Sequence, residues 1–276
     1  MRALIVLVAC VAGFLAGESI AAAATCDGFT ATIVGTSGND RLVGTPGRDV
    51  ILGRGGDDEI DGLGAADVIC GGDGADVVRG NRGIDEVFGD RGADALHGGP
   101  GRDYLADGGG RDTIFAGRGK DFVTNGPGSD RVNTGSEADS IQDGWGDDLF
   151  RGGRGADHLR LRAGGQDTFL AGRGRDSISL FDRRAGPVIV DLAAGTVQGL
   201  GGDTLARVEN AEGSFGKDTL LGSDRRNILD GDDGDDDIEG RGGDDAIFAG
   251  DGTDFVDGGG GTDRCSSGET TVNCER

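Results

Sequence analysis

The feature that most constrains this chain is an aspartate that recurs at every ninth residue. The residue two positions after each of these aspartates is apolar, from Leu42 to Leu159. The uninterrupted series is Asp40, Asp49, Asp58, Asp67, Asp76, Asp85, Asp94, Asp103, Asp112, Asp121, Asp130, Asp139, Asp148 and Asp157. An amphipathic helix has a period of about 3.6 residues, and a half-buried strand has a period of about two. A nine-residue period therefore indicates a larger structural unit that is copied along the chain.

The same period returns in a second block after an interruption. One inserted residue first moves the series to Asp167 and Asp176. The second block is anchored by Asp218, Asn227, Asp236, Asp245, Asp254 and Asp263. Between the blocks, residues 186–214 lose the period, and their pattern predicts a strand, a turn and a second strand. We interpret this segment as a structural bridge rather than a ligand site.

The residue types of one unit predict a turn followed by a very short strand. Glycine makes up 59 of the 276 residues and is concentrated in the six residues that end at each aspartate. Glycine adopts turn conformations without steric cost, and the apolar residue that follows favours a strand with one inward side chain. One inward residue per unit cannot form a core alone, so units must face each other and stack. The predicted fold class is an all-β solenoid.

The repeats resemble the RTX, or haemolysin-type, calcium-binding nonapeptide GGxGxDxUx. Examples are "GGDGADVVR" at 71–79, "GGPGRDYLA" at 98–106 and "GGRGADHLR" at 152–160. The resemblance implies a parallel β-roll in which two nonapeptides complete one coil, with Ca²⁺ between turns stacked on the same edge. It also implies that the motif aspartates, with backbone carbonyls, are the metal ligands. These ligands are the aspartates of the first series, which alternate between two edges, and Asp218, Asp236, Asp245, Asp254 and Asp263.

Electrostatics gives an independent reason to expect a cation. Parallel strands lie about 4.8 Å apart, so each edge would carry a column of carboxylates at that spacing. Each neighbouring pair costs about 1 kcal/mol even in water. Ca²⁺ accepts several oxygen ligands in flexible geometry, whereas Mg²⁺ retains its waters and demands a stricter geometry. We therefore expect multiple Ca²⁺ ions and folding that depends on them; the alternative is a metal-free roll whose aspartates only cap turns.

Several units depart from the motif. In successive units the leading glycine is replaced by Asp107, Ala116, Asn125, Thr134 and Asp143. Asp and Asn tolerate a left-handed turn, but Ala and Thr do so poorly. Ala65 and Glu137 replace the inner glycine before Asp67 and Asp139. Arg225 replaces it before Asn227. We expect the turns without the inner glycine to be weaker or distorted metal sites.

The N-terminus has the pattern of an export signal. Arg2 precedes an apolar run over residues 3–15, and residues 21–24 offer an Ala-x-Ala cleavage site. The run is too short to span a bilayer. We expect residues 1–24 to be a cleaved signal peptide and the protein to be secreted and extracellular. Lipidation at Cys10, within the sequence "LVAC", is the alternative.

Four cysteines follow this segment, and an oxidising compartment favours disulfides between them. Proximity in the sequence favours the pairs Cys26–Cys70 and Cys265–Cys274, although other pairings are open. The predicted organisation is an N-terminal cap and first roll block over 25–179, a non-repetitive β bridge over 180–212, and a second block with a disulfide-closed C-terminus over 213–276.

One sheet of the first block presents an apolar outer face. In eighteen-residue coils, residues such as Val50, Val68, Phe88 and Tyr104 point outward on the same side, and such a face is too apolar for water. We expect the N-terminal segment, held by a disulfide to Cys70, to cover it. The alternative is a protein-binding or dimer face.

Composition and motifs exclude several functions. The net charge of −23 opposes binding to nucleic acid and to anionic membranes. The two histidines, His97 and His158, occupy variable positions of the repeat, and neither HExxH nor GxSxG occurs. We expect a non-enzymatic calcium-binding protein with an extracellular structural or interaction role. The alternative is an accessory or atypical enzyme that acts on polysaccharide along one sheet face. The sequence leaves the partner, protein or polysaccharide, and the oligomeric state open.

Overall fold

The computed structural model describes residues 24–180, 187–266 and 270–275, all of them in strands, turns or loops. The strands are β1 (Thr25–Cys26), β2 (Phe29–Thr30), β3 (Ile33–Val34), β4 (Arg41–Val43), β5 (Val50–Gly55), β6 (Glu59–Asp61), β7 (Val68–Asp73), β8 (Val77–Arg79), β9 (Glu86–Gly92), β10 (Ala95–Pro100), β11 (Tyr104–Ala106), β12 (Gly109–Gly110), β13 (Thr113–Arg118), β14 (Phe122–Thr124), β15 (Arg131–Ser136), β16 (Ser140–Gln142), β17 (Leu149–Arg154), β18 (His158–Leu161), β19 (Thr168–Arg173), β20 (Ser177–Leu180), β21 (Ile189–Asp191), β22 (Thr196–Gln198), β23 (Asp203–Ala206), β24 (Asn210–Glu212), β25 (Thr219–Leu221), β26 (Ile228–Asp230), β27 (Asp237–Glu239), β28 (Ala246–Phe248), β29 (Phe255–Asp257), β30 (Arg264–Ser266) and β31 (Thr270–Val272). Residues 1–23 of the expected signal peptide lie outside the described residues.

Successive nonapeptides alternate between two long sheets. Within the described residues, the first sheet has 15 strands, from β4 to β31, and the second has 14, from β3 to β30. Neighbouring strands of the repeats are parallel and pair residues eighteen apart, as Leu96 pairs with Ile114 and Leu105 pairs with Val123. The predicted fold class, a parallel β-roll solenoid, is confirmed.

The core is a double ladder of the one apolar residue that each nonapeptide turns inward. Leu96 in the first sheet and Leu105 in the second are fully buried, as are their neighbours in the coils before and after. Each side chain packs above and below an equivalent side chain one coil away. Burying an aliphatic side chain of this size contributes about 1.5–3 kcal/mol, so stability accumulates coil by coil.

The bridge between the blocks is built into the same two sheets. β21, β22 and β23 form antiparallel pairs in the first sheet, and β23 then pairs in parallel with β19, which places Leu205 beside Phe169. In the second sheet, β24 pairs in parallel with β20 and places Ala211 beside Ile178. Val190 and Val197 are fully buried. The core therefore runs from one block into the other; residues 181–186 of the predicted bridge lie outside the described residues.

Both disulfides favoured by the sequence form. Cys26, on the small antiparallel sheet of β1 and β2, is bonded to Cys70 with the two Cα atoms 5.7 Å apart. It packs in a buried cluster with Val50 and Val68, so the N-terminal segment covers this part of the outer face. Cys265 is bonded to Cys274, and β31 adds to the end of the first sheet. Among the described residues no helix is long and apolar enough to cross a membrane.

Candidate metal-binding columns

The turns stack the repeat aspartates into two columns, one along each edge of the roll. We define the first column as the aspartates that precede strands of the first sheet, from Asp40 onward. The second column comprises those that precede strands of the second sheet, from Asp49 onward. Of the nineteen aspartates named from the sequence, all except Asp40 are buried. The alternation of edges that the eighteen-residue coil requires is therefore present.

One oxygen of each carboxylate ties consecutive coils together. The backbone N–H of each aspartate donates to Oδ1 of the aspartate one coil later, as Asp58 donates to Asp76 and Asp94 donates to Asp112. From Asp40 to Asp176 the nitrogen–oxygen distances are 2.7 to 3.0 Å. A charged acceptor makes this a strong hydrogen bond. The aspartate thus has a structural role that needs no metal.

The other oxygen of most of these carboxylates is buried without a hydrogen-bond donor. Within the described residues this holds for Oδ2 of Asp58, Asp67, Asp76, Asp85, Asp94, Asp103, Asp112, Asp121, Asp139, Asp157, Asp176, Asp203, Asp236, Asp245 and Asp263. A buried carboxylate oxygen without a partner is costly. A proton or a cation bound at Oδ2 would relieve that cost.

The pKa values of the carboxyl groups reflect this environment. Burial, reinforced by the neighbouring carboxylates of the column, raises the pKa of Asp94 and Asp103 to about 7. The same causes raise the pKa of Asp139 and Asp167 to about 7. The backbone hydrogen bond to Oδ1 opposes the shift but does not cancel it. In the metal-free protein these four carboxyl groups therefore take up protons at a higher pH than an exposed aspartate does.

The leading glycine of each turn keeps a small space lined by oxygen atoms. A Cβ at Gly98 would lie 2.7 Å from Asp103 Oδ2 and 2.6 Å from the carbonyl oxygen of Ala116, one coil later. At Gly62 it would lie 2.8 Å from Asp67 Oδ2 and 3.0 Å from the carbonyl oxygen of Gly80. Carboxylate and carbonyl oxygens are the ligands that Ca²⁺ prefers. The oxygen ligands and the space at these two turns therefore fit a calcium ion.

The expectation that the leading position needs a left-handed backbone is wrong. Neither Ala116 nor Thr134 has a positive φ. The left-handed residues come later in the turn, and they include Ala65 with a φ of 82° and Glu137 with a φ of 85°. Glycine is favoured at the leading position because a side chain there would crowd the oxygen-lined space.

The first turn on each edge of each block has a different arrangement. Thr36 donates to Asp40 Oδ2, and Thr45 does the same for Asp49, through the backbone N–H at 2.5 Å and the hydroxyl at 2.9 Å. In the second block Ser214 donates to Asp218 Oδ2, and Ser223 donates to Asn227 Oδ1. The second oxygen of these anchors thus has protein donors. The sequence feature that marks these first turns is the Thr or Ser directly after the leading glycine.

Other acidic residues extend the columns beyond the predicted ligands. Asp167 and Asp176 follow the inserted residue, and their Oδ1 atoms accept from Asp148 and Asp157. Asp203, in the bridge, accepts from Asp167 at 3.0 Å. The interval from Asp167 to Asp203 is 36 residues instead of eighteen, so the nine-residue series of the sequence did not identify Asp203. Glu209 and Glu275 accept the same kind of bond from Asp176 and Asp263.

Comparison with known proteins is consistent with this geometry. Residues 34–69, 71–105, 97–132, 124–159, 212–247 and 230–265 match the sequence profile of the RTX calcium-binding nonapeptide repeat. No curated protein sequence matches the chain. A solved structure, that of a hyperactive, Ca²⁺-dependent, β-helical antifreeze protein from an Antarctic bacterium, is 18% identical to this chain. The match covers 87% of this chain and 86% of that chain, with a TM-score of 0.32. Because the matched repeats span more than half of the sequence, the chain belongs to the family of proteins with RTX calcium-binding nonapeptide repeats.

Proposed function

We propose that this chain is a secreted calcium-binding β-roll in which the two carboxylate columns bind multiple Ca²⁺ ions. The observation that carries the proposal is the buried Oδ2 atom without a donor that recurs from coil to coil. At turns such as those of Gly53, Gly62 and Gly98, this oxygen borders a space that also contains a carbonyl oxygen of the next coil. The aspartates with this free oxygen are proposed ligands. Asp130 and Asp148 are proposed as well, because their Oδ2 atoms accept from the Asn125 amide but keep further lone pairs for a cation. Asp40, Asp49 and Asp218, which have Thr or Ser donors, are the weakest candidates among those named from the sequence.

Bound calcium would supply positive charge and several coordination positions between coils. The chain contributes the matching groups: Oδ1 of each aspartate fixes the coil spacing, which leaves Oδ2 as the ligand. The formal net charge of −23 includes the carboxylates of the columns, and bound cations would offset part of it. We therefore propose that binding and folding are coupled, and that the metal-free chain at neutral pH is expanded.

An extracellular setting is part of the proposal. Both disulfides are of the kind that persists outside the cytoplasm, and millimolar calcium is found there. We propose that residues 1–24 are removed on export and that 25–179, 180–212 and 213–276 act as one rigid, non-enzymatic roll with a structural or interaction role. Calcium would then rigidify the protein outside the cell.

The test is a substitution that removes the ligand oxygen and keeps the structural one. Asp94→Asn retains Oδ1, which accepts from the Asp76 N–H, but replaces the free Oδ2 with an amide nitrogen. Asp73→Asn is the matched control, because it makes the same charge change on an exposed residue one coil earlier. We expect equilibrium dialysis to show that Asp94→Asn weakens or abolishes binding of at least one Ca²⁺ and that Asp73→Asn binds as the wild type does. Equal calcium binding by the two variants would contradict the proposal.

A further inference from the structure

Three successive turns of the first column, which we call levels, carry a side chain at the leading position instead of glycine. These side chains are Asp107, Asn125 and Asp143, spaced eighteen residues apart. The earlier turns of this column, between residues 35 and 94, have glycine at the same position. Asp107, Asp112 and Asp130 each place one carboxylate oxygen within 4.8 Å of the corresponding oxygens of the other two. Asp143, Asp148 and Asp167 form the same arrangement two coils later. All six of these carboxylates are buried.

The two extra carboxylates are held by the backbone, and each keeps one oxygen without a donor. Asp107 Oδ1 accepts from the N–H of Gly126 at 2.6 Å, while its Oδ2 has no partner among the described residues and the residue is fully buried. Asp143 Oδ2 accepts from the N–H of Arg162 at 2.9 Å, and its Oδ1 has no partner in the described structure. Each extra residue therefore repeats the division of roles seen in the column aspartates: one oxygen is structural and the other is available.

The level between them carries an amide that donates hydrogen bonds to the column carboxylates. Asn125 Nδ2 donates to Asp148 Oδ2 at 2.8 Å and lies 3.4 Å from Asp130 Oδ2. These two oxygens therefore have an amide donor, which the oxygens at Asp94 or Asp103 lack. Three consecutive levels thus alternate between an added carboxylate, an amide and an added carboxylate.

We propose that Asp107 and Asp143 each complete a three-carboxylate cation site that binds more tightly than the levels with a leading glycine, and that the Asn125 amide takes the place of a cation between them. The inference rests on the proposed function, because it assigns different strengths to levels of the same column. Calcium affinity rises with the number of charged ligands, and each of these two sites has a third carboxylate.

The single tryptophan of the chain makes this testable at one site. Trp145 lies two residues after Asp143, in the turn that also contains Asp148. Terbium replaces calcium and emits when energy is transferred from a nearby tryptophan. We would titrate Tb³⁺ into the chelator-treated protein and follow the emission excited through Trp145. We expect this emission to saturate before most of the total Tb³⁺ is bound.

Asparagine variants provide matched arms, because Asn125 shows that the fold accepts an amide at this position. Asp143→Asn should raise the Tb³⁺ concentration for half-maximal Trp-excited emission by at least about tenfold. Asp107→Asn, the same charge change two coils away, should remove one tightly bound ion by dialysis and leave the Trp145 curve unchanged. Asn125→Asp should add one tightly bound ion.

The outcomes separate this inference from the proposed function. If the wild type binds neither Ca²⁺ nor Tb³⁺, the proposed function fails. If the wild type binds both ions and Asp143→Asn gives the wild-type emission curve, the tight site is wrong while calcium binding stands. If Asn125→Asp binds no additional ion, the role assigned to the Asn125 amide is wrong. Far-UV circular dichroism of each variant in calcium verifies that it is folded.

Discussion

Raising the pH of the metal-free roll should unfold it. Asp107 and Asp143 are buried beside other carboxylates, and burial raises the pKa of each to about 8 from an ordinary value of 3.8. The folded chain therefore binds more protons than the unfolded chain between these two values. Stability from these groups is fully present below about pH 3.8 and is lost as the pH rises through about 8.

The magnitude is large compared with the stability of a protein domain. Each raised carboxyl group costs about 1.4 kcal/mol per pH unit in this window, so going from about pH 5 to about pH 8 costs about 4 kcal/mol per group. For Asp107 and Asp143 together the loss is about 8 kcal/mol, against a typical total stability of about 5–15 kcal/mol. Asp94 and Asp103, whose pKa is about 7, add to the loss.

Urea denaturation followed by far-UV circular dichroism measures this effect. The protein is stripped of metal with a chelator, dialysed, and unfolded at several pH values between about 5 and about 8. We expect the free energy of unfolding to fall steeply with pH without calcium. With millimolar calcium it should not fall, because cations replace the protons of the columns. Metal-free stability that is constant or rises over this range would refute the account of the buried carboxylates.

Two further substitutions test individual turns. Ala65 holds a left-handed φ of 82°, so Ala65→Gly should increase the free energy of unfolding in calcium by about 1 kcal/mol; a decrease in the urea midpoint would mean that the alanine methyl group contributes packing instead. Thr45→Val removes the hydroxyl that donates to Asp49 Oδ2 and should cost about 1 kcal/mol. An unchanged midpoint for Thr45→Val would argue against a capping role for this hydroxyl.

The period of the sequence predicted facing, stacked units, and the resemblance to the RTX repeat predicted that two of them complete one coil. An anchor every nine residues, each followed by one apolar residue, leaves a two-sided roll as the simplest way to bury Leu96 and Leu105 in facing ladders. The disulfides followed from proximity along the chain and from the position of Cys70 on the outer face. These features depend on spacing alone, which a sequence displays directly.

The roles of individual atoms could not be predicted in the same way. Which oxygen of Asp94 is structural and which is available depends on its register with Asp76, one coil away. The reason for glycine at the leading position depends on how close the next coil approaches, and the backbone angle suggested by composition was the wrong cause. Asp203 joins the column only because two antiparallel strands are inserted before it. Each of these facts arises from contacts between coils.

The measurement that tests the central claim most directly is a calcium titration of the chelator-treated protein, followed by far-UV circular dichroism at about pH 7.5, with Mg²⁺ as the matched control. The account predicts a cooperative gain of β-sheet signal with Ca²⁺ and little or none with Mg²⁺. A spectrum that already shows the full sheet signal without metal at this pH, and that calcium leaves unchanged, would contradict the claim that the buried carboxylate columns require calcium.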